Sequence, residues 1–137
     1  MEYSSILKDK WTVPNVQINS TLEIISLDIK LLNSPVMKVG VVYRPPDSKS
    51  DWMDRFDDHI DEVISINKNI DFVLMGDFNI DLRKCNKLKT MMEVNGLHQV
   101  ITQPTLVTLK SEILIHHIYV NEKKQLYSIW SCSYRGK

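Results

Sequence analysis

Asp77 and Asn79 stand two residues apart, directly after an apolar run that closes on Gly76. If the chain stays extended there, side chains at i and i+2 point to the same side. A carboxylate beside a neutral amide suits phosphate-ester hydrolysis. The carboxylate can orient or deprotonate a water, and the amide can donate to a phosphate oxygen without quenching the carboxylate. The same two residues also make an ordinary Asp/Asn turn after a strand, with no chemistry attached. A second pair of donors, Tyr43 and Arg44, leaves another apolar run and enters Pro45-Pro46. Phenol and guanidinium both donate hydrogen bonds, and the planar fork of arginine matches phosphate oxygens.

Other reactive side chains carry less. His116 and His117 are adjacent, so on a strand they face opposite ways and cannot readily share one ion. His59 sits in an acidic stretch beside Asp58 and Glu62, the pattern of a solvated helix face. His98 belongs to no motif. Lys84, Lys87 and Lys89 follow the Asp77 segment and could meet a phosphate backbone, or simply water. Met91 and Met92 with Leu88 form a packing stripe. Asn19-Ser20-Thr21 matches a glycosylation sequon, expected to be chance in a chain with no signal peptide. Cys85 and Cys132 form no Cys-x-x-Cys pair, so neither a disulfide framework nor a thiolate zinc site is expected.

The elements that position these groups follow from hydrophobic period. Residues 21–32 alternate as a strand, with Ile25, Leu27, Ile29 and Leu31 on one face. Asn33-Ser34-Pro35 turns the chain, and 36–43 reads as a second strand, antiparallel to the first and, from its valine content, buried on both faces. Arg44-Pro45-Pro46-Asp47 must be a loop, since consecutive prolines lack ladder donors. Trp52, Met53, Phe56, Ile60, Val63 and Ile64 recur at three and four, a helix with Ser48 or Ser50 as its cap and Asp51 and Asp54 near its positive end. Residues 72–75 are short and apolar enough for a buried strand stopped by Gly76. A short helix around Leu88–Met92 closes at Asn95-Gly96. Residues 97–101 are expected as a short strand or extended segment, 113–120 as a strand, and 126–130 as a candidate for one more.

The chain has 137 residues, 17 Lys+Arg against 17 Asp+Glu, and 43% hydrophobic residues. This is ordinary globular composition and argues for one domain, not disorder or a repeat. Its zero net charge is unevenly spread: residues 51–81 carry nine acidic and two basic side chains, residues 82–137 nine basic and three acidic. The basic part could meet phosphates. No apolar run has the roughly 18 residues of a membrane span, and no signal peptide is evident, so an intracellular location is expected.

An ordered series now stands out: Val42-Tyr43-Arg44-Pro45-Pro46, an amphipathic helix, Leu74-Met75-Gly76-Asp77-Phe78-Asn79, Gln103-Pro104-Thr105, then Ser111 leading into Leu114-Ile115-His116-His117-Ile118-Tyr119-Val120. It resembles the endonuclease/exonuclease/phosphatase superfamily, and most of all the apurinic-endonuclease-like domain of non-LTR (jockey-like) retrotransposons. The resemblance covers residues 22–121. It implies an α/β fold, a four-layer sandwich of two mixed sheets flanked by helices. It implies phosphodiester cleavage dependent on Mg2+ or Mn2+, with DNA as partner and the nucleus as the place of action. By the same resemblance Asp77 orients the attacking water, Asn79 binds the scissile phosphate, Tyr43 stands near the phosphate or leaving group, and Arg44 contacts the substrate.

The departures are specific. Residues 1–20 hold no counterpart of the family's asparagine-bearing strand and metal-binding glutamate, so no metal ligand is assigned. Ile113 and His116 stand where the resemblance calls for threonine and aspartate, and Leu106 where it calls for arginine. Residues 131–137 lack the closing Ser-Asp-His. The expectation is one partial domain over 1–137, truncated at both ends and weakly active or inactive. A non-catalytic remnant that keeps a nucleic-acid or protein-binding surface is the alternative.

Overall fold

Val39, Val41 and Val42 branch at Cβ and favour a pleated surface. The computed structural model describes residues 11–67 and 69–121, and among these the three valines lie in the third of eight strands. The elements run β1 (Trp11–Asn19), β2 (Ile24–Leu31), β3 (Met37–Tyr43), α1 (Trp52–Ile66), β4 (Asp71–Asp77), α2 (Asn86–Val94), β5 (His98–Gln99), β6 (Leu106–Val107), β7 (Glu112–Ile113) and β8 (His116–Val120). Six strands form one mixed sheet in the order β1-β2-β3-β4-β8-β5, and β6-β7 makes a separate two-stranded ribbon. β3 and β4 are parallel, joined through α1, and the other pairs are antiparallel. No helix among the described residues is long and apolar enough to cross a membrane.

The two described helices bury their apolar stripes in one core. Trp52, Phe56, Ile60 and Val63 of α1 and Leu88, Met91 and Met92 of α2 cluster with Ile24, Val42, Phe72, Leu74 and Tyr119 of the sheet. By strand alternation those sheet residues share one face, the inner one. Lys38 and Asp28 also lie on it, in a part-buried ion pair 2.6 Å long. The opposite, outer face carries Ile25, Leu27 and Ile29 of β2, and Val39 and Val41 of β3. The aliphatic face of β2 is therefore the outer one, while Ile24 and Ser26 are buried. Burial of β3 on both faces does not hold among the described residues, since Val41 and Tyr43 are exposed.

Several boundaries differ from the sequence expectation. β1 was not expected, and it contains Pro14. Among the described strands it is at the edge, and its register slips between Thr12 and Asn15, which accommodates the proline. Neither serine caps α1: Asp51 holds that position without a side-chain bond, and Ser48 Oγ donates to the Pro45 carbonyl instead. Gly76 does not stop β4, which runs on to Asp77. A Cβ at Gly76 would stand 1.8 Å from the Val42 carbonyl oxygen, so glycine here is what lets β3 and β4 pair. The strand expected over 113–120 is divided between β7 and β8, and 97–101 yields only β5. The strand expected at 126–130 lies outside the described residues.

Candidate functional site

In register across three neighbouring strands, Tyr43 pairs with Asp77 and Asp77 with His116. Directly paired residues project to the same face. The three side chains thus form a row across the end of the sheet, on the outer face. Tyr43 is half exposed, and the other two side chains remain open to solvent.

Asn79 joins the row by a turn and not by extension. Its φ of 49° is in the left-handed region, which asparagine tolerates, and its N–H donates to Asp77 Oδ1 at 3.0 Å. Asn79 Nδ2 donates to the Arg44 carbonyl at 2.7 Å, and the Arg44 N–H donates to the Asp77 carbonyl at 2.9 Å. These bonds lace the ends of β3 and β4 together. One amide N–H of Asn79 is committed to the lacing, which leaves the other for a ligand.

The Arg44 side chain lies against the start of α1. Its guanidinium carbon lies 5.1 Å from the Trp52 ring centre, and Nη1 donates to the Phe78 carbonyl at 3.4 Å. These contacts tie the start of α1 to the end of β4.

His116 is oriented by a residue whose role sequence reasoning missed. Thr105 Oγ1 accepts the N–H groups of Ile115 (3.2 Å) and His116 (3.1 Å), which occupies both of its lone pairs. Its hydroxyl proton is then donated to His116 Nδ1, 2.9 Å away. The neutral imidazole must carry its proton on Nε2, which faces Asp77 Oδ2 at 3.6 Å. The only signal for this in the sequence was the Gln103-Pro104-Thr105 series itself.

This arrangement decides the fit of a divalent ion. Mg2+ and Mn2+ need an oxygen-rich set, commonly carboxylates together with substrate phosphate. Asp77 is the one carboxylate in the row, and an N–H points at its free oxygen. The next carboxylate along the chain, Asp81, is already engaged through Oδ1 by the N–H groups of Leu114 (3.1 Å) and Arg83 (3.3 Å). Among the described residues no group of three His, Cys, Asp or Glu is arranged to hold an ion. The donor set of the described residues does not by itself fit the expected cation.

His117 points the other way, into the core, and stacks on Phe78 with ring centres 4.6 Å apart. Its Nε2–H serves the carbonyls of Leu114 (2.9 Å) and Ile80 (3.1 Å), and its Nδ1 accepts the Tyr119 hydroxyl at 2.9 Å. Burial holds its pKa below the ordinary 6.5, against the opposing pull of those two carbonyls. Burial likewise pushes the Tyr119 phenol up. For Asp81, burial alone would raise the carboxyl, but the Leu114 and Arg83 donors outweigh it and hold the carboxyl below 3.8.

A pH dependence follows. The folded His117 refuses a proton that the unfolded chain accepts, so its contribution to stability is complete above pH 6.5 and is lost as pH falls towards the depressed value. His59, also lowered by burial, acts in the same window, and Asp81 only below pH 3.8. Urea midpoints should fall between pH 7.5 and 5.0, and fall less in His117→Gln. Equal falls in the two proteins would show that His117 is not the group responsible.

No family model matches the sequence, and no curated protein matches it. Solved structures do match its fold. The endonuclease domain of TRAS1, a telomere-specific non-LTR retrotransposon, superposes with a TM-score of 0.61 at 16% identity, over 79% of this chain and 54% of that one. A mannosyl-6-phosphatase from Bacteroides thetaiotaomicron gives 0.61 at 14% identity, over 84% and 54%. An endonuclease/exonuclease/phosphatase family protein from the same organism gives 0.60 at 14% identity, over 82% and 52%. The chain spans about half the length of these structures. The likeness is one of fold: a mixed α/β sheet flanked by helices, as in the endonuclease/exonuclease/phosphatase superfamily.

Proposed function

On the fold of that superfamily, we propose that this chain is an endonuclease-like phosphodiester hydrolase domain of retrotransposon origin. Its partner is DNA, met in the nucleus, and its own catalytic power is weak. The observation that carries the reading is the row of Tyr43, Asp77 and His116 at one sheet end, with Asn79 laced to it. The TRAS1 endonuclease domain among the similar folds supports the retrotransposon part.

In this reading the Tyr43 phenol and the free N–H of Asn79 donate to phosphate oxygens, while Asp77 orients a water. The weakness has a physical source. Charge builds on the phosphoryl oxygens in the transition state and must be met by fixed positive charge. Arg44 is turned towards Trp52, His116 in its neutral form offers Asp77 only an N–H dipole, and the donor set of the described residues does not by itself fit the cation.

Nicking of supercoiled plasmid with Mg2+ or Mn2+ tests this. The expected rate is within a few-fold of the protein-free control, and Asp77→Ala removes the excess. His116→Asp alone should add nothing, because a second carboxylate brings no imidazole to carry the proton and no glutamate to hold an ion. Strong metal-dependent nicking lost in Asp77→Ala would overturn the weak-activity part; nicking indifferent to Asp77→Ala would overturn the site. The imidazole N–H facing Asp77 also favours a second reading, a non-catalytic remnant that still binds phosphate backbones. Salt-dependent DNA binding without any cleavage would select it.

A further inference from the structure

Three side chains of the site region stand in one line. Thr105 Oγ1 is 2.9 Å from His116 Nδ1, and His116 Nε2 is 3.6 Å from Asp77 Oδ2. Hydroxyl, imidazole and carboxylate in that order are the parts of a hydrolase triad, with the two ring nitrogens exchanged. In a triad the hydroxyl oxygen attacks, and for that it needs a lone pair. Thr105 has none to give, since the N–H groups of Ile115 and His116 take both, at 3.2 and 3.1 Å. The line therefore works in one direction, from the threonine through the ring to the carboxylate.

From these contacts we infer that Thr105 is a positioning residue of the site: it holds His116 as the Nε2–H tautomer and aims that N–H at Asp77. Thr105 is well placed to do so because main chain holds it on two sides. Its own N–H donates to the Ile113 carbonyl at 3.0 Å, and its oxygen receives two main-chain N–H groups where β8 begins. One direction is left for its proton, towards Nδ1. The imidazole is about half exposed, and among the described residues the Thr105 hydroxyl is the hydrogen-bond partner that its ring has. Without that hydroxyl an exposed ring can place its proton on either nitrogen.

This role rests on the reading of Asp77 as the carboxylate of the site, and it says what that carboxylate selects. Asp77 Oδ1 receives the Asn79 N–H at 3.0 Å, and Oδ2 is faced by the His116 N–H at 3.6 Å. The second distance is longer than a hydrogen bond, so Nε2–H can still donate to an oxygen brought against Asp77. A hydroxyl oxygen, of water or of an alcohol, suits the pair: it accepts from Nε2 and donates its proton to Oδ2. A bare phosphate oxygen has no proton to offer and meets the Asp77 charge instead. The pair is thus set for the attacking water, and the phosphate is left to Tyr43 and Asn79.

The ring 15N shifts of His116, assigned through His116→Gln, test this at about pH 8.5, where an imidazole is neutral. They read the tautomer without any turnover, so a failure here is distinct from a failure to cleave DNA. The native chain and Thr105→Ser should hold the ring almost wholly as Nε2–H. Thr105→Val, which keeps the branched shape and loses the hydroxyl, should raise the Nδ1–H form several-fold. A native ring protonated on Nδ1 overturns the role, as do equal populations in the native and valine chains. If Thr105→Val loses its fold, Thr105→Cys decides: its thiol is a weaker donor and acceptor, so a smaller rise of the same sign is expected, and no rise overturns the role equally. A fluorophosphonate, which modifies nucleophilic hydroxyls, should leave Thr105 unlabelled; labelling there would make it a nucleophile and not a positioning residue.

Discussion

Gly76→Ala should leave almost no folded protein. The added methyl would stand 1.8 Å from the Val42 carbonyl oxygen and 2.8 Å from both its carbonyl carbon and Cγ1. An overpacked core usually yields by moving side chains, at about 1–3 kcal/mol. Here the obstacle is backbone in the neighbouring strand, so relief requires β3 and β4 to part at the centre of the sheet. A cost above about 4 kcal/mol, against a total of about 5–15, is expected. Two other glycines calibrate it. Gly40→Ala meets the flexible end of Leu74, and Gly96→Ala meets open space but must hold a φ of +76°, so both should cost about 1–2 kcal/mol. Denaturant midpoints for the three variants measure the order. A Gly76→Ala protein as stable as the other two would mean that β3 and β4 are not paired as described.

Phe78→Ala should cost about 3–5 kcal/mol, the range for emptying a large aromatic site in a core. Phe78 is fully buried and touches rings on every side: Trp52 and Phe56 edge-on at 6.4 and 5.7 Å, His117 stacked at 4.6 Å, and Tyr119 at 5.7 Å. The same residue fixes the site, since its N–H donates to the Ile115 carbonyl and its own carbonyl receives Arg44. Calorimetry of Phe78→Ala and Phe78→Leu separates volume from ring. The leucine variant should recover roughly half the loss, and an alanine variant of unchanged melting temperature would contradict the packing.

The local signals that were legible are those set by period and by neighbours in sequence. The stripe Trp52, Phe56, Ile60, Val63 yields α1, and the pairing of residues 24–29 with 37–42 was implied by the turn between them. What escaped depended on partners far along the chain. Nothing around Leu97 indicates that β8 inserts between β4 and β5. β1 was not read at all, and its Pro14 is tolerated at the register slip between Thr12 and Asn15. Alternation assigned Ile25, Leu27 and Ile29 to one face correctly, but alternation cannot tell which face the helices will cover. At the site, the positions of Tyr43, Asp77 and Asn79 along the sequence were readable. The direction of the Arg44 guanidinium and the proton on His116 Nε2 were not, since each is set by a contact more than seven residues away.

The strand order has a consequence for synthesis on the ribosome. β4 is at the middle of the sheet, yet one of its edges is completed only by β8, whose residue His116 pairs with Asp77. Between the emergence of those two residues about 40 more must be made, roughly 2–8 s at about 5–20 residues per second. Throughout that interval the nascent chain offers an open strand rich in Phe72, Val73, Leu74 and Met75, with free N–H and C=O groups able to capture any other extended segment. Its yield in a cell is thus governed by translation speed and by chaperones that shield this edge, before the stability of the finished fold has any bearing.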